Sequence, residues 1–287
     1  MSRAEFAAAK INLALHVTGQ RADGYHLLDS LVSFAGVGDS LRLVTGATAA
    51  LQITGAEGRG LSPGEDNLVL RAARLCGLPY GQGIELEKRL PLASGIGGGS
   101  ADAAAALRLL TREAGAVLPS ADQILALGAD VPVCLSGRSC RMSGVGEILS
   151  PFPELPELWA VLVNPRVEVP TPAVFRALKV KDNPSLTLPE GAFSETAAFL
   201  DWLAEQRNDL EEPAISLAPE IGTVLDVLWD LPEALFARMS GSGATCFALF
   251  ACKSDALRAV YKVQGSYPDW WVAAGALGHA AEVSPGA

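Results

Sequence analysis

Four glycines fall within five residues of this chain, in the segment Gly95-Ile-Gly-Gly-Gly99. Apolar and polar residues alternate over residues 84–90, just before this segment, and the alternation predicts a half-buried strand. Apolar residues recur at helical spacing over residues 103–114, and Gly115 follows as a stop signal. The chain must therefore pass from a strand into a helix through a loop that is mostly glycine. We call residues 91–100 the glycine loop.

The glycine loop is suited to binding an anion. We expect Ser100 to cap the following helix and Asp102 to place an acid in its first turn. Glycines lack a Cβ, so their backbone N–H groups can converge on one point, and the helix N-terminus adds free donors. A plain turn is the alternative, but a turn needs fewer glycines and four of them cost considerable chain entropy. The loop therefore predicts a polyphosphate ligand.

Two familiar phosphate motifs do not match the loop. A Walker A loop ends in Gly-Lys-Ser/Thr, and the chain contains no Gly-Lys pair. The dinucleotide motif G-x-G-x-x-G would need a glycine where Ser100 stands. The sequence thus predicts a third type of phosphate loop, with no lysine inside it.

Composition limits the function classes. A chain of 287 residues with 49% hydrophobic and 19% charged residues is typical of a globular protein with a sizeable core. The net charge of −10 argues against nucleic acid or an anionic membrane as partner. We find no signal-peptide pattern and no apolar run of the ~18 residues that a membrane span needs, so we expect a cytoplasmic protein. We expect buried, reduced thiols rather than a metal site from the five cysteines, Cys76, Cys134, Cys140, Cys246 and Cys252, which form no C-x-x-C.

Mixed strands and helices are predicted in both halves of the chain, which indicates a two-domain α/β or α+β protein. A capping box opens at Ser120, and prolines cluster over residues 151–156. We place the domain boundary at these prolines, giving domains 1–155 and 156–287. The expected strands cover residues 10–17, pieces through 43 and 53, 159–163, 246–251 and 271–274; the expected helices cover 67–75, 121–128, 172–179, 195–206, 219–229 and 254–264.

Four further features have both an ordinary and a functional interpretation. Lys10 and Asn12 share one strand face, which is either solvated or turned to a ligand. Asp23-Gly-Tyr-His26 is a polar turn that offers a stacking ring and a directional donor. Asp130, expected between a helix and a short apolar strand, either closes a turn or acts as a base. Ser240-Gly-Ser-Gly243 is a common type of turn, or a second jaw around one phosphate chain.

Taken together and in this order, these motifs resemble those of the GHMP kinase superfamily, from Ala9 to about Phe250. The resemblance implies an α+β, two-domain GHMP kinase fold, with an N-terminal domain like ribosomal protein S5 domain 2 and a ferredoxin-like C-terminal domain. It also implies phosphorylation of a hydroxyl group with ATP and Mg²⁺. In this reading Asp130 is the general base, and Lys10 stabilises developing negative charge and orients the γ-phosphate.

The resemblance also implies two sets of binding residues. Tyr25 and His26 match a branch of the superfamily that holds a cytosine by stacking and hydrogen bonding, which predicts a small-molecule substrate carrying cytidine. Thr171 and Phe175 would close over that base, and Asn208-Asp209-Leu210 would support the site. The substrate-binding set is Asn12, Tyr25, His26, Thr171, Phe175, Gly241 and Ser242. The ATP-binding set is Asn67, Lys88, Pro91, Leu92, Ala93, Ser94, Gly95, Ile96, Gly97, Gly98, Gly99, Ser100 and Ala101, and the resemblance identifies no metal ligands.

Departures from the superfamily pattern are few. Ala101 stands where a second serine is usual, and Ala93-Ser94 replaces a glycine-rich pair. Two alternatives remain: another GHMP kinase of homoserine or mevalonate type, and a GHMP-fold sensor without catalysis. The Asp-Gly-Tyr-His turn favours a substrate with a nucleobase, and the presence of both Lys10 and Asp130 favours a kinase. We expect a monomer or a weak homodimer.

Overall fold

The computed structural model describes residues 4–189 and 191–283. The strands are β1 (Glu5–Gln20), β2 (His26–Thr45), β3 (Leu51–Thr54), β4 (Gln82–Glu87), β5 (Cys140–Gly144), β6 (Ile148–Ser150), β7 (Leu158–Asn164), β8 (Phe236–Met239), β9 (Cys246–Phe250) and β10 (Trp271–Gly278). The helices are α1 (Leu68–Leu75), α2 (Gly98–Ala114), α3 (Ala121–Leu125), α4 (Val131–Ser136), α5 (Thr171–Ala177), α6 (Thr196–Glu205), α7 (Glu211–Leu217), α8 (Glu220–Trp229) and α9 (Lys253–Ser266).

The strands form one sheet in the order β3-β4-β2-β10-β7-β9-β8, with β1 paired along β2 and β5 joining β2 to β6. The pairs are antiparallel except β3 with β4. β10 pairs with β7 along most of its length and with β2 at Leu277 and Gly278. Both halves of the chain therefore contribute to one sheet, and the mixed α+β fold is confirmed.

Helix α2 lies in the core of the first half. It contacts β1 and β2 on one side and α1 and α4 on the other. Its buried face contains the alanine run over residues 103–106 together with Leu107 and Leu110. Small side chains let the helix axis come close to the sheet, which places the N-terminus of α2 at the sheet surface.

The segment over residues 207–209 joins the second half to β1. Leu15 donates its N–H to the carbonyl of Arg207 at 2.8 Å, and Asp209 donates to the carbonyl of Leu15 at 2.8 Å. The Asn208 amide donates to the carbonyls of Met239 and Gly241 at 2.8 and 2.9 Å. Residues 208–210, predicted as support for the site, therefore anchor the loop that follows β8.

The start of α2 differs from the prediction. Gly97, not Ser100, is the N-cap, with φ 64°, and no side chain caps the helix. Ser100 therefore lies inside the first turn, and Asp102 falls beyond it, where it is buried. The left-handed conformation suits glycine, and it leaves the first N–H groups of α2 free of a side-chain cap.

Other sequence predictions also need correction. Residues 131–136 form α4 instead of a short apolar strand, because Pro132 in the first turn favours a helix start. Helix α7 and strand β8 were not predicted. All five cysteines are free thiols, but Cys252 is exposed, so the expectation of burial is wrong for it.

Within residues 4–189 and 191–283, no three His, Cys, Asp or Glu side chains cluster as a metal site. No helix in these ranges is both long enough and apolar enough to cross a bilayer.

Arg238, a buried cation in β8, binds backbone carbonyls from two other segments. It donates to Leu13 at 2.9 Å, to Leu203 at 3.2 Å and to Gln206 at 2.7 Å. Its guanidinium also lies 4.6 Å from the ring centre of Phe236. Burial lowers the pKa of Arg238 to about 10, so the side chain stays charged at neutral pH.

We expect Arg238→Met to lower the free energy of unfolding by about 3 kcal/mol or more. The substitution leaves three carbonyls without their donor, at about 1–3 kcal/mol for each buried group. The control is Arg258→Met, since Arg258 is 61% exposed and pairs with Asp255 at the surface; it should cost less than about 1 kcal/mol. Chemical denaturation measures both, and equal losses would contradict the role of Arg238.

Candidate active site

The glycine loop, the turn before β2, α5 and residues 241–242 border one cavity of about 1060 Å³. The cavity contacts strands and helices from both halves of the chain. Its lining includes the glycine loop with Lys10 and Asp130, and also Tyr25, His26 and Phe175. Its size suits a ligand larger than a single small anion.

The glycine loop lies against the loop over residues 240–245, which we call the serine loop. Ser240 Oγ donates to the carbonyl of Gly95 at 3.1 Å, and Thr245 donates its N–H to the carbonyl of Ser94 at 3.2 Å. Gly95 has φ 74°, and a Cβ built there would lie 2.5 Å from the carbonyl oxygen of Ser240. Only glycine allows this contact, so the two loops are fixed against each other at the base of the cavity.

The cation next to the glycine loop comes from β1. Lys10 Nζ lies 2.9 Å from Asp130 Oδ2 and 2.7 Å from Asn12 Oδ1. The backbone N–H of Lys10 donates to the carbonyl of Ile96 at 3.0 Å, and a Cβ on Gly97 would lie 3.1 Å from Lys10 Cε. The Lys10 side chain is 4% exposed and that of Asp130 is 31% exposed. The Asp130 carboxylate is therefore partly open to the cavity, whereas the Lys10 ammonium is buried and held by its hydrogen bonds.

A second lysine lies beneath the loop in a buried ion cluster. Lys88 Nζ is 2.9 Å from Asp102 Oδ2 and also pairs with Asp39, and all three side chains are buried. Burial raises the pKa of Asp102 to about 8 against the opposing effect of Lys88. Burial alone would lower the pKa of Lys88, but the two carboxylates outweigh it and raise that pKa. A Cβ on Gly98 would lie 3.1 Å from Lys88 Nζ, so this cluster supports the first turn of α2.

Aromatic rings also line the cavity. The rings of His26 and Phe175 stack with centroids 4.7 Å apart at an angle of 22°. Tyr25 is 66% exposed. His26 Nε2 is buried and has no hydrogen-bond partner within the described part of the chain. Burial, and then the charge of Lys181, lower the pKa of His26, so its imidazole is neutral at pH 7.

Most of the site residues predicted from the sequence border the cavity. Both catalytic candidates and the whole substrate-binding set border it. In the ATP-binding set, Ile96 and Ala101 do not, because they are buried behind the loop and inside α2. Asn67 borders the cavity and also caps α1 by accepting from Val69 N–H at 2.9 Å. The ligand-binding roles of these residues stay predictions.

Several residues that line the cavity were not predicted from the sequence. Arg176 and Lys181 bring positive charge to the cavity, and Lys181 bonds Gln20 Oε1 at 3.3 Å. Lysines and arginines in or just after a short helix are typical of any surface, so the sequence contains no signal for them. Leu210, predicted as support for the site, also borders the cavity, and further lining residues that were not predicted are Leu15, Gln20, Leu28, Leu61, Asp66, Leu68, Val69, Asp102, Ala129, Met142, Val145 and Pro172.

Comparisons with known proteins match both halves of the chain. The model of the GHMP kinases N terminal domain matches residues 67–143, and that of the GHMP kinases C terminal matches residues 187–269. A 4-diphosphocytidyl-2-C-methyl-D-erythritol kinase of Cereibacter sphaeroides is 56% identical over 271 residues, covering 93% of this chain and 96% of the relative.

Solved structures give a consistent result. A crystal structure of 4-(cytidine 5'-diphospho)-2C-methyl-D-erythritol kinase aligns with TM-score 0.76 at 36% identity, covering 96% of this chain and 99% of the other. The L. major mevalonate kinase in complex with R-mevalonate aligns with TM-score 0.60 at 13% identity, covering 96% of each chain. The second match shows the shared fold alone.

We expect Gly95→Ala to destabilise the protein more than Gly77→Ala. Both glycines have positive φ, 74° and 68°, so each alanine costs about 1–2 kcal/mol of backbone strain. A Cβ on Gly77 meets nothing within 4 Å, whereas one on Gly95 meets the serine loop. Thermal unfolding of the two variants isolates the clash. Equal melting temperatures would show that the two loops separate without cost.

Proposed function

The chain belongs to the 4-diphosphocytidyl-2-C-methyl-D-erythritol kinases of the GHMP kinase family, and we propose that it phosphorylates the 2-hydroxyl of 4-diphosphocytidyl-2-C-methyl-D-erythritol with ATP. This reaction is a step of the non-mevalonate (methylerythritol phosphate) route to isoprenoid precursors. The observation that carries the proposal is the Lys10–Asp130 pair, 2.9 Å apart, next to the glycine loop in a cavity that aromatic rings also line. A phosphate donor and a nucleoside-bearing acceptor fit these two groups of lining residues.

Asp130 is the general base. Its carboxylate is partly exposed to the cavity, so a substrate hydroxyl can approach one oxygen while the other stays on Lys10. Phosphoryl transfer needs positioning and charge neutralisation more than covalent help. The Lys10 ammonium supplies positive charge where the attacking oxygen and the transferred phosphoryl group meet.

The glycine loop holds the donor phosphates. The first N–H groups of α2 have no side-chain cap, and the helix dipole adds partial positive charge there. Lys88 is held by Asp39 and Asp102, so in this proposal it supports the loop from below. In this proposal Asn67 and the residues of the glycine loop that line the cavity contact the nucleotide.

Mg²⁺ accompanies ATP in this proposal. Ser100 borders the cavity next to the loop and offers an oxygen ligand of the kind that Mg²⁺ prefers. The ion typically uses one or two protein ligands, and substrate phosphates supply others, so the site fits it. When bound, Mg²⁺ neutralises charge on the donor phosphates.

The rings of Tyr25, His26 and Phe175 hold cytosine in this proposal. A neutral His26 has one ring nitrogen without a partner, which can hydrogen bond a base edge. Phe175 fixes the ring from one side, and the exposed Tyr25 offers a stacking surface. Thr171 Oγ1 lies 2.7 Å from Ser242 Oγ, which joins α5 to the serine loop over the substrate.

Two further properties belong to the proposal. We place the domain boundary at residues 151–156, between the two regions that match the family models. We also propose a cytoplasmic enzyme that acts as a monomer or a weak homodimer.

Purified protein with ATP, Mg²⁺ and 4-diphosphocytidyl-2-C-methyl-D-erythritol should release ADP in proportion to phosphorylated product. The same assay with homoserine and with mevalonate tests the two alternative kinases, and we expect no turnover with either. Turnover of one of them without turnover of the cytidine substrate would overturn the assignment. Binding of nucleotide with no turnover of any acceptor would favour a sensor.

Asp130→Asn should lower kcat by about 10²- to 10⁴-fold, the usual contribution of a positioned general base. Asparagine keeps the size but cannot accept the proton, so ATP binding should change little. Asp122→Asn is the control, because Asp122 is exposed on α3 and does not border the cavity. A rate for Asp130→Asn close to that of the control would remove Asp130 from the base role.

A further inference from the structure

We propose that Ser30 is a positioning residue for the transfer, because it fixes through Asn12 the orientation of the Lys10 ammonium. The inference rests on the proposed function, in which Lys10 acts on the phosphoryl group. Ser30 lies in β2, does not border the cavity, and was not predicted as a site residue.

A continuous chain of hydrogen bonds links Ser30 to the catalytic pair. Ser30 Oγ donates to the carbonyl of Ala14 at 2.6 Å. Asn12 Nδ2 donates to Ser30 Oγ at 2.7 Å, and Lys10 Nζ donates to Asn12 Oδ1 at 2.7 Å. Lys10 Nζ then lies 2.9 Å from Asp130 Oδ2. Three residues, Ser30, Asn12 and Lys10, therefore connect a backbone carbonyl to the proposed base.

The direction of each bond follows from the first acceptor. A carbonyl oxygen only accepts, so the hydroxyl hydrogen of Ser30 must point to Ala14. The lone pairs of Ser30 Oγ then face Asn12 and require its NH₂ group there. The amide oxygen of Asn12 is consequently turned to Lys10. A reversed amide would place NH₂ hydrogens against the ammonium, where both groups are donors.

This arrangement determines how many hydrogens of the Lys10 ammonium remain to bind the substrate. An ammonium has three hydrogens, and Asn12 and Asp130 take two of them. Ser30, Asn12 and Lys10 are 0%, 1% and 4% exposed, so water does not compete for these groups. In such a low-dielectric setting a lost partner costs more than at the surface.

In this proposal Asn12 has a role beside its predicted contact with the substrate. It borders the cavity, while its oxygen is on Lys10 and one nitrogen hydrogen is on Ser30. The register between β1 and β2 also shifts between Asn12 and Ala14. Irregular strand pairing of this kind often re-aims side chains next to active sites. Asn12 therefore acts through Lys10.

Ser30→Ala tests the proposal, with Ser33→Ala as the matched control. Both serines lie in β2, both are 0% exposed, and both side chains are hydrogen bonded. Ser33 contacts Ser139 and does not border the cavity. Ser30→Ala should lower kcat roughly 5- to 100-fold, as expected when a buried donor loses its acceptor. The KM values for ATP and for the cytidine substrate should stay within about twofold, because no ligand contact is removed.

A double-mutant cycle separates positioning from a general structural effect. If Ser30 acts through Asn12, then adding Ser30→Ala to Asn12→Ala should cause no further loss of kcat. Ser30→Thr keeps the hydroxyl and should retain the rate. Ser30→Cys keeps the size with weaker hydrogen bonding, and it replaces the alanine variant in the cycle if that variant does not fold.

The outcomes separate the inference from the function on which it rests. Failure of the wild-type protein to phosphorylate the cytidine substrate would remove the proposed function. Normal wild-type turnover, with Ser30→Ala equal to Ser33→Ala, would overturn only the role of Ser30. Losses in the double-mutant cycle that simply add would overturn it as well.

Discussion

The arrangement around Lys10 and the glycine loop depends on the close approach of three backbone segments. The glycine loop contacts β1 through the bond from Lys10 N–H to the Ile96 carbonyl, and it contacts the serine loop through Gly95. A side chain at Gly95 or Gly97 would occupy space filled by the serine loop or by Lys10 itself. The absence of Cβ atoms is thus what lets a lysine from β1 lie beside a glycine loop that contains no lysine.

The two buried lysines near the glycine loop have different environments. They therefore differ in how much of their charge is already paired with carboxylates of the protein. Lys88 is surrounded by Asp39 and Asp102, so its charge is used within the protein and it holds the base of α2. Lys10 has one carboxylate partner, Asp130, which is itself partly open to the cavity. Only a cation that is not fully paired within the protein can stabilise negative charge that develops on a substrate.

The sequence predicted the chemistry better than the local geometry. Glycine spacing, the Lys10 strand and Asp130 were recognisable because each is a short motif with its own pattern. The start of α2 was misplaced from Gly97 to Ser100, because serine is the usual cap and the left-handed glycine depends on contacts with Lys10. Ser30 and Lys181 gave no signal, since their roles arise from pairing across β1 and β2 and from the path of the chain after α5.

Strand β10 has a consequence for the order in which the protein is assembled. It lies between β2 and β7 in the sheet, yet its residues 271–278 follow every other described strand along the chain. Synthesis on the ribosome proceeds from the N-terminus, so both parts of the sheet are made before the strand that joins them. A nascent chain halted before residue 271 therefore holds two unjoined sheet edges, which are exposed to pairing with other chains until translation resumes.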